Sequence, residues 1–263
     1  GQPEKFYSIG DELSVDLTLS PSAPTNDFLT VDIVCGNESV QIYRSPFNLK
    51  ANEEITINVV AVLGKSLIGN LIGDSCQLEA NYFTDKALSQ NFAISNKIDI
   101  ELDLEGNKFN PGKEINVNGL ALKRSGALVE GFVEVNIPGL GISTSNNVYS
   151  SKFSFNITIP NNAKSGEHII SLRIYEEDNL GKISNEGNTS ELIKINQVLN
   201  RLEILLSSQS IYPDEEFSFT INAYDQAGDL INEDIALKIY EPGDFIYLDK
   251  LISSGNTEIF KPL

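Results

Sequence analysis

The stretch Asn110-Pro111-Gly112-Lys113-Glu114-Ile115-Asn116-Val117, followed by Gly126-Ala127-Leu128-Val129 and the alternating Val133, Val135 and Ile137, decides the fold. It recurs on both sides at one spacing. Leu13, Ile115 and Phe217 lie at successive intervals of 102 residues, as do Val15, Val117 and Phe219. The same interval relates Val31, Val133 and Ile235; Ile33, Val135 and Leu237; and Cys35, Ile137 and Ile239. No gap is needed to hold the register. A fixed period of this kind marks a tandem array, and it divides the chain into residues 1–97, 98–199 and 200–263.

Within each repeat the hydrophobic pattern has period two, the signature of half-buried antiparallel strands. Ile98-Asp99-Ile100-Glu101-Leu102-Asp103-Leu104 alternates an apolar face with a carboxylate face. The middle repeat reads as seven strands, near 98 to 105, 114 to 123, 131 to 137, 143 to 149, 152 to 159, 167 to 176 and 190 to 196. Turn residues separate them at Asn110-Pro111-Gly112, Ser125-Gly126, Pro138-Gly139 and Pro160-Asn161-Asn162. About 100 residues with seven short strands predict an all-β chain of tandem immunoglobulin-like sandwiches. No helix is expected.

The outer repeats are incomplete. The first has no counterpart of the strand at 98 to 105, and its strands begin after Gly10. The third matches the first five strands, with Tyr212-Pro213-Asp214-Glu215-Glu216-Phe217 as its turn and 245 to 252 as its fourth strand, and then reaches Leu263. Two readings stand: the polypeptide continues in a longer protein, or a partner donates a strand to an open sheet edge. The opening Gly1-Gln2-Pro3, with neither Met nor a signal peptide, fits a mature secreted chain and an excised fragment equally. The junctions Ile94-Ser95-Asn96-Lys97-Ile98 and Ile195-Asn196-Gln197-Val198-Leu199 contain neither Gly nor Pro, so consecutive repeats are joined without a flexible tether.

The formal charge of −18, from 37 acidic and 19 basic residues, repels phosphate backbones and anionic headgroups, which argues against a nucleic-acid partner. No run approaches the roughly 20 apolar residues that span a bilayer, so no membrane insertion is expected. The acidic surface reads as ordinary solvation, and it also suits surroundings rich in divalent cations.

Few residues could carry chemistry. Cys35 continues the inward set Val31 and Ile33, and Cys76 precedes the inward Leu78 and Ala80. In the seven-strand layout these strands are antiparallel neighbours, so a cross-strand disulfide is geometrically allowed. It would close a loop of about 40 residues, contribute about 4 kcal/mol in the chain-entropy model, and imply an oxidising compartment. The alternative is a pair of buried thiols where the second repeat has Ile137 and Ile170. Acceptor sequons at Asn37, Asn156 and Asn188 are candidates for N-glycosylation, and unmodified asparagine is the alternative at each. Asn156 alternates with Phe153, Phe155, Ile157 and Ile159 and should face solvent. His168, the single histidine, reads as an edge or loop residue. The acidic turns at 176 to 179 and 225 to 229 offer oxygens to calcium, with Asp225 and Asp229 as candidates, but neither fits the twelve-residue calcium loop. No other metal site, cofactor or catalytic constellation is expected.

The repeated element at 110 to 137 and its echoes at Tyr212 to Phe217 and Gly228-Asp229-Leu230-Ile231 resemble tandem bacterial-type immunoglobulin-like and macroglobulin-like modules. The first repeat departs from the pattern with Ser8-Ile9-Gly10 and a cysteine pair. The resemblance implies a prokaryotic cell-surface protein, such as a filament, stalk, adhesin or archaeal surface-layer subunit, and no catalytic residues. The expectation is an extracellular structural or adhesive segment that associates with itself or with neighbouring surface proteins. Three stacked modules would reach on the order of 100 Å. The alternative is a non-catalytic carbohydrate- or partner-binding region of a secreted enzyme.

Overall fold

A computed structural model describes the chain apart from Asn70, Gln209, Ile211, Pro213, residues 241–245 and 261–263, and the side chains of Ile246 and Tyr247. Pro213 of the third turn and the first residue of the strand expected from 245 lie outside the described residues. What is described is all-β, as the period-two pattern requires.

In the first repeat the strands are β1 (Phe6–Ser8), β2 (Glu12–Leu19), β3 (Thr25–Cys35), β4 (Glu38–Leu49), β5 (Ile55–Val62), β6 (Gly73–Tyr82), β7 (Asp85–Leu88) and β8 (Phe92–Ser95). One sheet has the order β1-β8-β6-β3-β4 with β7 on β6, and β2 pairs with β5 in the other. A single helical turn, α1 (Lys65–Ile68), follows β5, where no helix was expected. Its buried Ile68 joins the core. Side chains of both sheets, among them Leu13, Val15, Val31, Ile33, Val59 and Leu78, meet in one hydrophobic cluster.

The second repeat comprises β9 (Ile98–Leu104), β10 (Lys108–Phe109), β11 (Glu114–Lys123), β12 (Gly131–Ile137), β13 (Ile142–Val148), β14 (Lys152–Thr158), β15 (Gly166–Glu177) and β16 (Ile183–Ile195). The sheets β14-β11-β9 and β10-β16-β15-β12-β13 share a core containing Ile115, Val117, Val133, Val135, Phe153, Leu172 and Ile193. That shared core is the arrangement of a β-sandwich. β16 starts seven residues before the strand expected at 190, because Ile183 to Thr189 pair with the far half of β15 across a register shift at Glu176/Glu177.

The third repeat has β17 (Leu199–Leu206), β18 (Phe217–Asp225), β19 (Asp234–Tyr240), β20 (Ile246–Ser253) and β21 (Thr257–Phe260), as a sheet β17-β18-β21 and a hairpin β19-β20. Among the described residues nothing occupies the positions of β15 and β16. Among the described residues its core has Phe219, Ile221 and Ile252 buried and Phe217, Ile235, Leu237 and Phe260 partly covered.

Three positions one period apart each lie on a strand paired antiparallel to another. Leu13 faces Ala61 on β5, Ile115 faces Ile157 on β14 and Phe217 faces Phe260 on β21. The turn before each of the first two such strands requires a positive φ, 95° at Gly10 and 73° at Gly112, which glycine adopts at little cost.

Candidate functional site

The groups with the most physical consequence lie where consecutive repeats meet. At the first joint, Glu176 ends the inward run of β15 and is almost wholly screened from solvent. Its Oε1 accepts the Glu130 N–H at 2.9 Å, and its Oε2 accepts Asn185 Nδ2–H at 2.7 Å and faces Lys123 Nζ at 3.4 Å. Asn185 is fully buried, and its Nδ2 also donates to the Ile9 carbonyl of the first repeat at 2.8 Å. Among the described residues its Oδ1 has no partner. Lys123 reaches across to Asp11 at 3.9 Å, and Asp11 Oδ2 in turn accepts the Ser8 N–H. Ser125 N–H donates to Ser8 Oγ, and Lys65 Nζ donates to the Ile183 carbonyl at 2.7 Å.

The linker itself is fixed. Glu186 N–H donates to the Asn96 carbonyl, and Lys97 forms a parallel bridge with Glu186. Gly187 permits this approach, since a Cβ there would lie 2.0 Å from the Ile98 carbonyl oxygen.

A cleft of about 650 Å³ opens beside the first joint, lined in part by Lys65, Lys123, Glu130, Glu176 and Asp178. These ionisable groups converge, but they are already used. Glu176 and the two lysines are paired as above, and Glu130 Oε1 accepts the Ser150 N–H at 2.7 Å. Asp178 Oδ1 accepts the N–H groups of Lys182 and Leu180, both at 2.9 Å. The Lys182 N–H, against a smaller opposing effect of burial, leads the contacts that hold the Asp178 carboxyl below the usual carboxylate range.

At the second joint the central residue is Asp225, one of the calcium candidates. It is fully buried, and four protein donors take up its oxygens. Ala227 and Asp229 N–H donate to Oδ1 at 2.9 Å, while Gln197 Nε2–H and Ser165 Oγ–H donate to Oδ2 at 3.1 Å. Burial alone would raise this carboxyl, yet the hydrogen bonds from Gln197, Asp229, Ala227 and Ser165 outweigh it and hold it below the ordinary range. No open oxygen is left for calcium at Asp225, and Asp229 faces Lys164 at 3.9 Å in an exposed pair. Gln226 adds Nε2–H bonds to the carbonyls of Ala163 and Asn196, and its Oε1 accepts the Val198 N–H.

The remaining candidates are scattered. Cys35 and Cys76 oppose each other on β3 and β6 and are joined by a disulfide, with Cα atoms 4.2 Å apart. Ile137 and Ile170, both fully buried, fill the corresponding place in the second repeat. Asn37 lies in the two-residue turn of the β3–β4 hairpin and is exposed. Asn156 is exposed on β14 as expected, with Nδ2 donating to Glu114. Asn188 is exposed on β16 beside Arg173. His168 sits within β15 and not in a loop, its Nε2 hydrogen-bonded to the Lys164 carbonyl at 2.9 Å and its ring against Gly139.

Neither the joint at Glu176 and Asn185 nor the one at Asp225 was expected from the sequence. The available signal was Asp225 lying one period after Lys123, at the end of equivalent strands. Among the described residues no helix is long and apolar enough to cross a membrane. No protein-family model and no curated protein matches the chain.

Proposed function

We propose that the chain is a load-bearing or adhesive segment of an extracellular surface protein, in which immunoglobulin-like modules are stacked end to end and the spacing they maintain is the function. The observation that carries this reading is the repetition of the joint. The turn after the second-strand equivalent, at 123–128 and again at 225–230, docks on the preceding repeat through partly buried polar contacts that include the buried Ser8 and Asp225. Buried polar groups are costly to leave unpaired, so reorienting one repeat against its neighbour is penalised at both joints. The disulfide fits an oxidising compartment, and the sequon at the hairpin tip, Asn37, fits a glycosylated surface. Small-angle scattering tests the reading: an extended particle with a longest dimension on the order of 100 Å is expected, and a compact globule would defeat it.

A second reading, saccharide binding, is favoured by one surface feature. On the outer face of β12 and β15 the rings of Phe132 and Tyr175 lie 5.6 Å apart, and the Arg173 guanidinium stands 5.0 Å from the Tyr175 ring. A shallow hollow of about 470 Å³ beside them is lined by Glu134, Asn136, Arg173 and Asn188. Aromatic faces flanked by amides and carboxylates suit sugar rings. Glycan-array binding lost in Tyr175→Ala and Phe132→Ala would support this reading, and binding unchanged by both would remove it.

A further inference from the structure

On the outer face of the second repeat, side chains form rows across β13, β12, β15 and β16. One row sets Asn147, Phe132, Tyr175 and Glu186 side by side, and the next sets Ser145, Glu134, Arg173 and Asn188. Asn188 therefore lies diagonally across the ladder from Tyr175, a step of about 7 Å between Cβ atoms. It opens the sequon Asn188-Thr189-Ser190, and all three of these residues line the shallow hollow of about 470 Å³ beside the aromatic pair. The acceptor asparagine and the sugar-like surface are one place.

The three sequons differ in their surroundings. Asn37 stands in a hairpin turn, and Asn156 Nδ2 donates to Glu114 at 3.0 Å. Among the described residues the exposed Asn188 carboxamide has no protein partner. The hollow it lines is amphipathic: Phe132 and Tyr175 bring apolar ring surface to one side, and Asn136, Ser171 and Ser190 bring uncharged polar groups. Arg173 is held between Glu134 at 3.5 Å and Glu186 at 3.0 Å, so its charge is already balanced, with carboxylates in excess. Such a surface repels an anion and suits a neutral pyranose, whose C–H bonds meet the negative ring faces while its hydroxyls meet the amide and hydroxyl groups.

We infer that Asn188 is a glycan attachment site and that the first, neutral sugar of its glycan folds back onto this hollow, against Tyr175 and Phe132. The inference rests on the saccharide reading of this face and names the chain itself as the source of the sugar. In the transfer, Asn188 Nδ2 bonds to the anomeric carbon of a phosphate-activated sugar, the bond from that carbon to the phosphate oxygen breaks, and the amide gives up one proton to the transferase. Attachment makes the later contact intramolecular. A short tether presents its ligand at an effective concentration in the millimolar range, so a contact too weak to hold a free sugar suffices to seat an attached one.

The test uses the full chain, secreted from a eukaryotic cell line grown on isotope-labelled glucose. Enzymatic release, which turns each occupied asparagine into aspartate, followed by peptide mass measurement should find Asn188 occupied. In NMR spectra of the folded protein the anomeric signal of the first sugar on Asn188, assigned by its loss in Ser190→Ala, should be displaced by ring currents from its position in urea. Tyr175→Ala combined with Phe132→Ala should abolish the displacement at unchanged occupancy. An unmodified Asn188, an anomeric signal at its position in urea, or a displacement that survives the double substitution would overturn the inference. Glycan-array binding by unglycosylated chain, alongside an undisplaced attached sugar, removes this inference and leaves the saccharide reading standing. A displaced attached sugar with no array binding removes the free ligand and leaves the inference.

Discussion

The two joints occupy equivalent places in the repeat and are built from opposite charges. Lys123 ends β11 and Asp225 ends β18, one period apart. At the first joint the cation faces Glu176 of its own repeat and Asp11 of the neighbour, and Asn185 crosses to the Ile9 carbonyl. At the second joint the anion braces its own turn through the N–H groups of Ala227 and Asp229, and it reaches back to Ser165 and to the linker residue Gln197. Positions 123 and 225 thus carry opposite charges at the ends of strands 102 residues apart. What both solutions share is a buried carboxylate acceptor, Glu176 at one joint and Asp225 at the other.

Breaking the first joint should have the largest effect. Glu176→Ala leaves the Glu130 N–H without its acceptor and removes one of two partners from Lys123 and from Asn185, and a loss of about 3 kcal/mol is expected. The check is a lower urea midpoint at unchanged m-value. Gly187→Ala should come next, since its new Cβ would collide with the Ile98 carbonyl and force the linker away from β16. About 2 kcal/mol is expected, with faster exchange of the Glu186 amide that now binds Asn96.

The second joint should respond less, because half of its donors belong to an exposed turn that water can serve. Asp225→Ala is expected to cost about 1 to 2 kcal/mol and to speed amide exchange at Ala227 and Asp229. It also carries a pH signature. The folded carboxyl titrates below its unfolded value, so the unfolded state binds more protons at low pH. The stabilisation is complete above the unfolded pKa of about 4 and is lost as pH falls through the lower folded value. Acid titration of the wild type against Asp225→Asn should show this component in the wild type only.

Rim contacts set the lower limit of the comparison. Arg124 pairs with Asp74 at 3.1 Å in an exposed position at the first joint. Arg124→Ala should change stability by about 0.5 kcal/mol or less, so a larger loss would show that the buried groups are not what holds the joint.

The strands and their register were legible because each repeat buries one face, and a slip of one residue would turn every apolar side chain outward. The disulfide was legible for the same reason, as Cys35 and Cys76 continue inward sets. The first half of β16 was not, because Ile183-Ser184-Asn185-Glu186-Gly187 has the composition of a turn. Only its pairing with β15 and its packing on the linker make it a strand. The joints were hidden for a related reason. Glu176 and Asn185 look like solvated hairpin residues until the first repeat covers them, and no local pattern reports contacts between residues as far apart as Ile9 and Asn185. The acidic turn at 225 to 229 was read as an offer of oxygens to solvent or calcium, whereas its carboxylate points inward and serves the joint.

The central claim is that buried polar joints hold the repeats in fixed relative orientation. Residual dipolar couplings of a weakly aligned sample measure this directly, by giving one alignment tensor for the first repeat and one for the second. Tensors equal in magnitude and direction are expected for the wild type and should diverge in Glu176→Ala. Unequal tensors in the wild type, with each repeat internally rigid, would contradict the account.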